Sequence, residues 1–395
     1  MTIPRVLVVG FSTRALGESA ARAGFTVASL DAFGDIDQRA CPAIAAGRDL
    51  GLAYDPVAMA RAARTIPAHA VAYVASFENH PDAVALLSRG RTLLGNTAAV
   101  LRRARDPLHI ARVLRAHGFA APDVRLQVPP SPPSVRGRPP APRRRWLVKP
   151  LASGGGHGIE TWRATRSLRR TEYLQQHIRG EAGSLVFASD ARSSVPFAVS
   201  HQLIGEPEFG ASGFRYCGSI LAMRPAATFA RGDALVDAAR AIADTLAREL
   251  HLVGVNGFDF IARDGVPFVT EVNPRYTASM ELAERAFELS VFGAHVGACS
   301  GRLPRFDLAV AERGAPVVGK AVLFARRTVT LPNTSAWLER DDVRDIPHPG
   351  ERIVRGSPIC TIFARGGTVA ACRAALVRRA RKLYDEIGGR GRRSA

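Results

Sequence analysis

Residues 257–275 read Gly257-Phe-Asp259-Phe-Ile-Ala-Arg263-Asp264-Gly265-Val-Pro-Phe268-Val269-Thr-Glu271-Val-Asn273-Pro-Arg275, two runs of alternating apolar and polar residues around an Asp-Gly turn signal. Glu271 and Asn273 are two apart, so in a strand they share a face. The turn decides where Asp259 points. A three-residue Arg263-Asp264-Gly265 loop with a left-handed glycine sets Asp259 opposite Val269, on the face of Glu271 and Asn273; a two-residue Asp264-Gly265 loop sets it on the other face. We expect the three-residue loop, with Phe258, Phe260, Phe268 and Val272 on the opposite side. Asp259, Glu271 and Asn273 then form a converging set of oxygen donors of the kind that holds Mg²⁺.

A second informative segment lies over a hundred residues upstream. Trp146-Leu-Val-Lys149-Pro150 is a short apolar run ending in a lysine, and the glycine-rich stretch Ser153-Gly154-Gly155-Gly156-His157-Gly158-Ile159 follows it. The bare backbone of such a loop approaches phosphate oxygens that a Cβ would obstruct. Lysine, loop and oxygen donors together are the parts of an ATP site.

Composition narrows the alternatives. The chain has 395 residues, enough for about two to four domains and a sizeable core. Its five cysteines are scattered without a C-x-x-C pair, which argues against a zinc site or a disulfide framework and suits a reducing compartment. No apolar run approaches the roughly 20 residues needed to cross a bilayer, so we expect a cytoplasmic protein with no membrane partner. The net charge is +19, yet only Lys149, Lys320 and Lys382 are lysines and the other 51 basic residues are arginine. With abundant Ala and Gly, that skew reads as codon bias rather than a nucleic-acid stripe, and runs such as Arg143-Arg-Arg145 lack interleaved aromatics for base stacking. We expect no nucleic-acid partner.

The chain divides readily. Val6-Leu-Val-Val9, a helical pattern through Leu16, Ala20 and Ala23, and the strand Phe25–Leu30 ending at Asp31 make a parallel α/β unit. Val71–Ala75 and Thr92–Leu94 continue it, so residues 1–104 form a Rossmann-like domain whose functional edge is Gly10–Arg14 and Ser76–Asn79. Gly10 lacks the G-x-G-x-x-G partners, which argues against dinucleotide binding. Residues 127–145 hold seven prolines and form an insertion without function. The helix at 234–250 carries an apolar stripe of Leu235, Ala239, Ile242, Leu246 and Leu250. From Lys320 to Leu383 a strand-rich region ends in a basic helix.

At these residues the sequence resembles the ATP-grasp superfamily over nearly its whole length. The resemblance implies a mixed fold, α/β and α+β: a Rossmann-like domain at 1–104, ATP-grasp subdomain A at 105–184 containing the insertion, subdomain B with the metal site at 185–305, and a small C-terminal domain at 306–395. It implies ATP with two Mg²⁺ ions, or Mn²⁺, on Asp259, Glu271 and Asn273. Lys149 would hold phosphate oxygens, and Ser153 to Gly158 would form the lid over them. Gln176, His177 and Ile178 fall at the adenine hinge, and Glu181 stands one residue early for the ribose. Arg275 would contact the acyl phosphate or substrate carboxylate, with Asn256, Arg215, Tyr216 and Glu78 as further candidates for recognition. The pattern departs from the family at Asp106-Pro107, where an Asp-Lys pair usually supplies a second phosphate-binding lysine; Arg105 and His109 are the nearby bases.

The chemistry implied is attack of a carboxylate on the γ-phosphate and capture of the acyl phosphate by an amine. The loops Gly10–Arg14, Phe33–Asp37, Phe77–Asn79 and Gly213–Gly218 look most like predicted ATP-dependent carboligases of microbes with methanofuran- and methanopterin-type one-carbon cofactors, related by fold to tyramine–glutamate ligase and biotin carboxylase. A carboxylate–amine ligase acting on a small acidic substrate is the leading expectation, and a homodimer is compatible with it. A bicarbonate-activating carboxylase and a non-catalytic nucleotide-binding relative are the alternatives.

Overall fold

Val6, Leu7, Val8 and Val9 are wholly buried, as the central strand of a sheet covered on both faces must be. The computed structural model describes residues 5–128, 145–221, 229–313 and 316–388; the proline-rich stretch expected to be an insertion falls largely outside them. The strand Arg5–Val9 pairs in parallel with Thr26–Asp31 on one side and Ala70–Tyr73 on the other. Ala43–Ala45 and Thr92–Leu94 complete a five-stranded parallel sheet. The chain reverses its direction of progress between Arg5–Val9 and Ala70–Tyr73, which places a topological switch between the loops following those strands. The short strand Ala43–Ala45 has no apolar run long enough to announce it.

The second layer is an eight-stranded sheet. In spatial order its strands are Val266–Asn273, Val253–Arg263, Glu181–Asp190, Ser194–Ile204, Tyr216–Leu221, Val317–Phe324, Pro358–Gly366 and Val343–Arg344, all antiparallel to their neighbours. The helix Gly232–Leu250 buries Leu235, Ala239, Ile242, Leu246 and Leu250 in one cluster with Phe187, Phe258 and Phe260. The opposite face is polar: Asp259 pairs across with Ser184, Ser184 with Ser200, and Gln202 with Ser219. The sheet continues into the C-terminal region, where the helix Val369–Ile387 covers it through Cys372, Leu376, Ala380 and Leu383.

A four-stranded sheet faces the polar side: Val124–Arg125, Glu172–Gln176, Trp146–Pro150 and Glu160–Thr161, in that order. Lys149 lies on one of its central strands.

A buried charge network ties the layers together. Arg14, wholly buried, donates to both oxygens of Glu281 (3.0 and 3.1 Å), to Asp345 (2.7 Å) and to Glu18 (3.1 Å). Lys320 Nζ adds a 2.7 Å bond to Glu281, and the Asp37 carboxylate accepts from the backbone N–H groups of Asp345 and Ile346. Buried charges are tolerated when paired and hydrogen-bonded in this way. The loops Gly10–Arg14 and Phe33–Asp37, which carry part of the carboligase resemblance, thus clamp the first domain to the C-terminal strands. Among the described residues no helix is long and apolar enough to cross a membrane.

Candidate active site

The hairpin carrying the oxygen donors turns through two residues. Arg263 pairs with Val266, and Asp264 and Gly265 both have positive φ (55° and 81°), the signature of a tight type I′ turn. The expected three-residue loop is therefore corrected. By itself this register would put Asp259 opposite Thr270 and on the wrong face. A β-bulge restores it: Phe260 pairs with Val269, Asp259 with Glu271, and Thr270 is the extra residue between. Asp259 consequently shares its face with Glu271 and Asn273, though its cross-strand partner is Glu271 and not Val269. The same register puts Val269 in the core beside Phe260, while Phe268 pairs with Ile261 and lies under the Arg263 guanidinium.

The bulge has a second effect. The Thr270 carbonyl accepts from Gln175 Nε2 at 3.0 Å and from Lys149 Nζ at 3.4 Å, and Gln175 Oε1 accepts from the same lysine at 3.3 Å. Hairpin and four-stranded sheet are thereby joined across a cavity of about 590 Å³. Its walls include Lys149, the segment Gln176 to Ile178 expected at the hinge, Asp259, Glu271 and Asn273, and Arg275 with Ser279. A cavity of that volume is of the size that takes a small-molecule ligand.

Charge is organised around the hairpin. Asp259 accepts from Gln202 Nε2 (2.8 Å) and Asn273 Nδ2 (3.1 Å); burial, then the neighbouring Glu271 charge, push its pKa up to about 6. Burial also works against ionised Glu271, but Arg105 and Lys149 outweigh it and hold its carboxyl below the ordinary range. Lys149 meets the same opposition from burial, and Tyr173 and Glu271 keep its pKa above the usual lysine value. Two adjacent carboxylates, one destabilised by the other, with a carboxamide beside them, fit a divalent cation. Among the described residues no three His, Cys, Asp or Glu side chains converge on a metal position; a Mg²⁺ here would draw its remaining ligands from phosphate and water, as that ion commonly does.

The glycine-rich loop forms part of the cavity roof. Gly155 and Gly156 line it, the Gly155 carbonyl accepts from Tyr216 N–H at 3.0 Å, and a Cβ on Gly156, whose φ is +75°, would collide with the Phe214 carbonyl. Arg215 completes the closure through His157 Nδ1 (3.3 Å), the Gly356 carbonyl and the Phe324 ring. At the base of the loop the Ser153 carbonyl accepts from Arg105 Nη2 (3.1 Å) and Asn79 Nδ2 (3.3 Å).

Several expected site residues stand elsewhere. Asn256 falls on the core face of its strand, wholly buried, where it accepts from Asn96 (2.8 Å) and donates to Ser189 Oγ and the Gly254 carbonyl (3.0 Å each); it is structural and does not reach the cavity. Glu181 is exposed and alternates to the face opposite Ser184 and Asp259. Gly154 and Gly158 are off the cavity wall, Gly158 making room for Pro150. His109 does not line the cavity, whereas Arg105 bonds to Glu271. Gln175 and Gln202 escape sequence reasoning because their partners are distant in the chain; Gln175 at least borders the hinge motif.

Residues 104–279 match the family model of the ATP-grasp domain. That stretch of the chain is an ATP-grasp domain. A segment of 114 residues is 30% identical to an uncharacterized protein of Methanocaldococcus jannaschii, covering 29% of this chain and 27% of that protein, so the match spans about a quarter of its relative. Among solved structures, Rhizobium etli pyruvate carboxylase superposes with a TM-score of 0.70 at 14% identity over 95% of this chain and 37% of its own. The L-amino acid ligase of Bacillus licheniformis superposes with a TM-score of 0.63 at 14% identity over 98% of each chain. At such identities the likeness is one of fold.

Proposed function

We propose that this protein is an ATP-dependent carboxylate–amine ligase that works through an acyl phosphate. The observation that carries the reading is the placement of Asp259, Glu271 and Asn273 on one face of the sheet, lining one cavity with Lys149 and Gln176 to Ile178, which suit ATP, and with Arg275, which suits a carboxylate. Asp259, Glu271 and Asn273 would hold Mg²⁺, which when bound neutralises charge on the transferring phosphoryl group. Lys149 holds phosphate oxygens as a buried point charge, Gln176 to Ile178 offer the hinge to adenine, and Gly155 and Gly156 close over the phosphates and exclude water. Arg275 orients the substrate carboxylate so that its oxygen attacks the γ-phosphorus as ADP departs. An amine nitrogen then attacks the acyl carbon and phosphate leaves. No side-chain nucleophile takes part.

A small acidic substrate in one-carbon cofactor assembly is our reading of the resemblance carried by Gly10–Arg14, Phe33–Asp37, Phe77–Asn79 and Gly213–Gly218, and the arginine surplus suits the acidity. The deciding experiment is a panel of carboxylic acids and amines assayed for ADP and phosphate release. Release that requires both an acid and an amine supports the ligase. Release with labelled bicarbonate incorporated into an acceptor would replace it by a carboxylase, and no ATP binding under any condition would leave a non-catalytic relative.

A further inference from the structure

Two paired charged side chains, Glu78 buried and Arg275 on the cavity wall, have hydrogen-bonding capacity that the protein leaves unused. Glu78 is 1% exposed, and neither of its carboxylate oxygens receives a hydrogen bond. Arg275 Nη2 stands 2.7 Å from Glu78 Oε1, an ion pair by distance but out of line for a hydrogen bond, and Arg275 Nε–H also lacks an acceptor. Buried charged groups are normally satisfied, because an unmet one carries its full desolvation penalty. The location adds weight. Glu78 follows the strand Ala70–Tyr73 at the topological switch of the parallel sheet, where α/β folds bind ligands, and Arg275 opens onto the cavity two residues beyond Asn273.

We propose that Glu78 and Arg275 are the receptor for a small zwitterion, a molecule presenting an ammonium and a carboxylate close together as an α-amino acid does. This rests on the ligase reading and names its acid substrate. In the free protein the two side chains neutralise each other. Glu78 is buried and Arg275 stands against it, so a ligand that takes either charge must open the pair. A simple anion that draws Arg275 away leaves Glu78 buried without a hydrogen-bond donor and with only the more distant charge of Arg105, and a simple cation leaves Arg275 without its carboxylate. A zwitterion compensates both: its ammonium replaces the guanidinium on Glu78, and its carboxylate meets the freed Arg275. Tyr216, Ser219, Thr277 and Ser279, which line the nearby wall, are uncharged hydroxyl residues and add no preference for a net charge. An ammonium held on a buried carboxylate keeps its proton and is no nucleophile. The zwitterion is therefore the acid component, with its carboxylate activated beside Asn273, and the attacking amine belongs to another molecule.

The test is calorimetric titration of the full-length protein, with Mg·ADP present, against the proteinogenic L-amino acids, each compared with its desamino acid and its decarboxylated amine; for glutamate these are glutarate and 4-aminobutyrate. We expect an amino acid to bind at least about tenfold more tightly than either analogue. Glu78→Gln, checked for an unchanged melting transition, should abolish the preference over the desamino acid; if that variant does not fold, Arg275→Gln should abolish the preference over the decarboxylated amine. Equal binding of the desamino acid, a preference that survives Glu78→Gln, or no binding across the panel overturns the proposal. The two readings fail separately. ADP release supported by acids without an ammonium and insensitive to Glu78→Gln defeats the receptor and keeps the ligase, whereas selective zwitterion binding without acid- and amine-dependent ADP release does the reverse.

Discussion

Arg105 Nη1 lies 2.6 Å from Glu271 Oε1, so the residue that caps the last helix of the first domain grips the oxygen-donor hairpin directly. The same guanidinium donates to Asn79 Oδ1 (2.9 Å), the Val272 carbonyl (2.9 Å) and the Ser153 carbonyl (3.1 Å). One side chain therefore joins first domain, hairpin and phosphate loop. The phosphate-binding lysine common at the next position but one is absent, since Pro107 stands there, and Arg105 brings a permanent positive charge to the same corner. We expect Arg105→Ala to raise the Michaelis constant for ATP at pH 8 well above the effect of His109→Ala. Equal constants in wild type, both single variants and the double variant would show that the site works without either base.

Glu271→Gln keeps the shape of the side chain and removes its charge. We expect a loss on the order of 10²-fold in ADP formation, the scale of deleting an electrostatic stabiliser, together with weaker binding of Mn²⁺ followed by electron paramagnetic resonance. Turnover near the wild-type rate would remove Glu271 from the metal site.

Lys149 is buried between Gln175, Tyr173 and the Thr270 carbonyl. Lys149→Ala should weaken ATP binding by about tenfold or more. Lys149→Arg should recover little, because a planar fork does not fit a pocket shaped for a compact ammonium. Calorimetry decides the matter, and equal ATP affinity in wild type and Lys149→Ala would contradict the assignment.

His295 supplies a pH dependence away from the site. Its Nδ1 accepts from Val255 N–H at 2.9 Å and its Nε2 lies 3.2 Å from the Leu94 carbonyl, bridging the two sheets. Burial pushes its pKa down to about 4, against a smaller opposing effect of the Leu94 carbonyl. A depressed folded-state value means that the unfolded chain takes up the proton first. Stability is therefore complete above about pH 6.5 and falls as the pH drops toward 4, by roughly 3 kcal/mol for this group. Urea midpoints of wild type and His295→Gln, compared between pH 7 and 4.5, should converge as the pH falls. A constant gap would exclude the linkage.

Much of the site was legible from local pattern. The parallel unit around Val6–Val9, the stripe of the helix Gly232–Leu250 and the one-face spacing of Glu271 and Asn273 depend on periodicity within a few residues. The glycine loop and Lys149 were readable because each is a single short segment. The face of Asp259 was harder. It came out on the expected side through a two-residue turn and a bulge at Thr270, two parity changes that cancel and that no alternation of residues distinguishes from a three-residue loop.

The sequence by itself determined the elements, the shared face of Glu271 and Asn273 and the glycine-rich loop, since strand alternation, turn chemistry and bare backbone are properties of neighbours in the chain. Only the tertiary structure decided which distant side chains meet: Arg105 with Glu271, Gln202 with Asp259, and Glu78 with Arg275. It also withdrew Asn256 and Glu181, which a motif could nominate but which strand parity turned to the opposite faces of their strands. The physical reason is that an ion pair or a buried amide is specified by how separate elements pack and pair. Sheet pairing brings together residues separated by 57 to 197 positions in these three contacts, and nothing in the local sequence of either partner records the other.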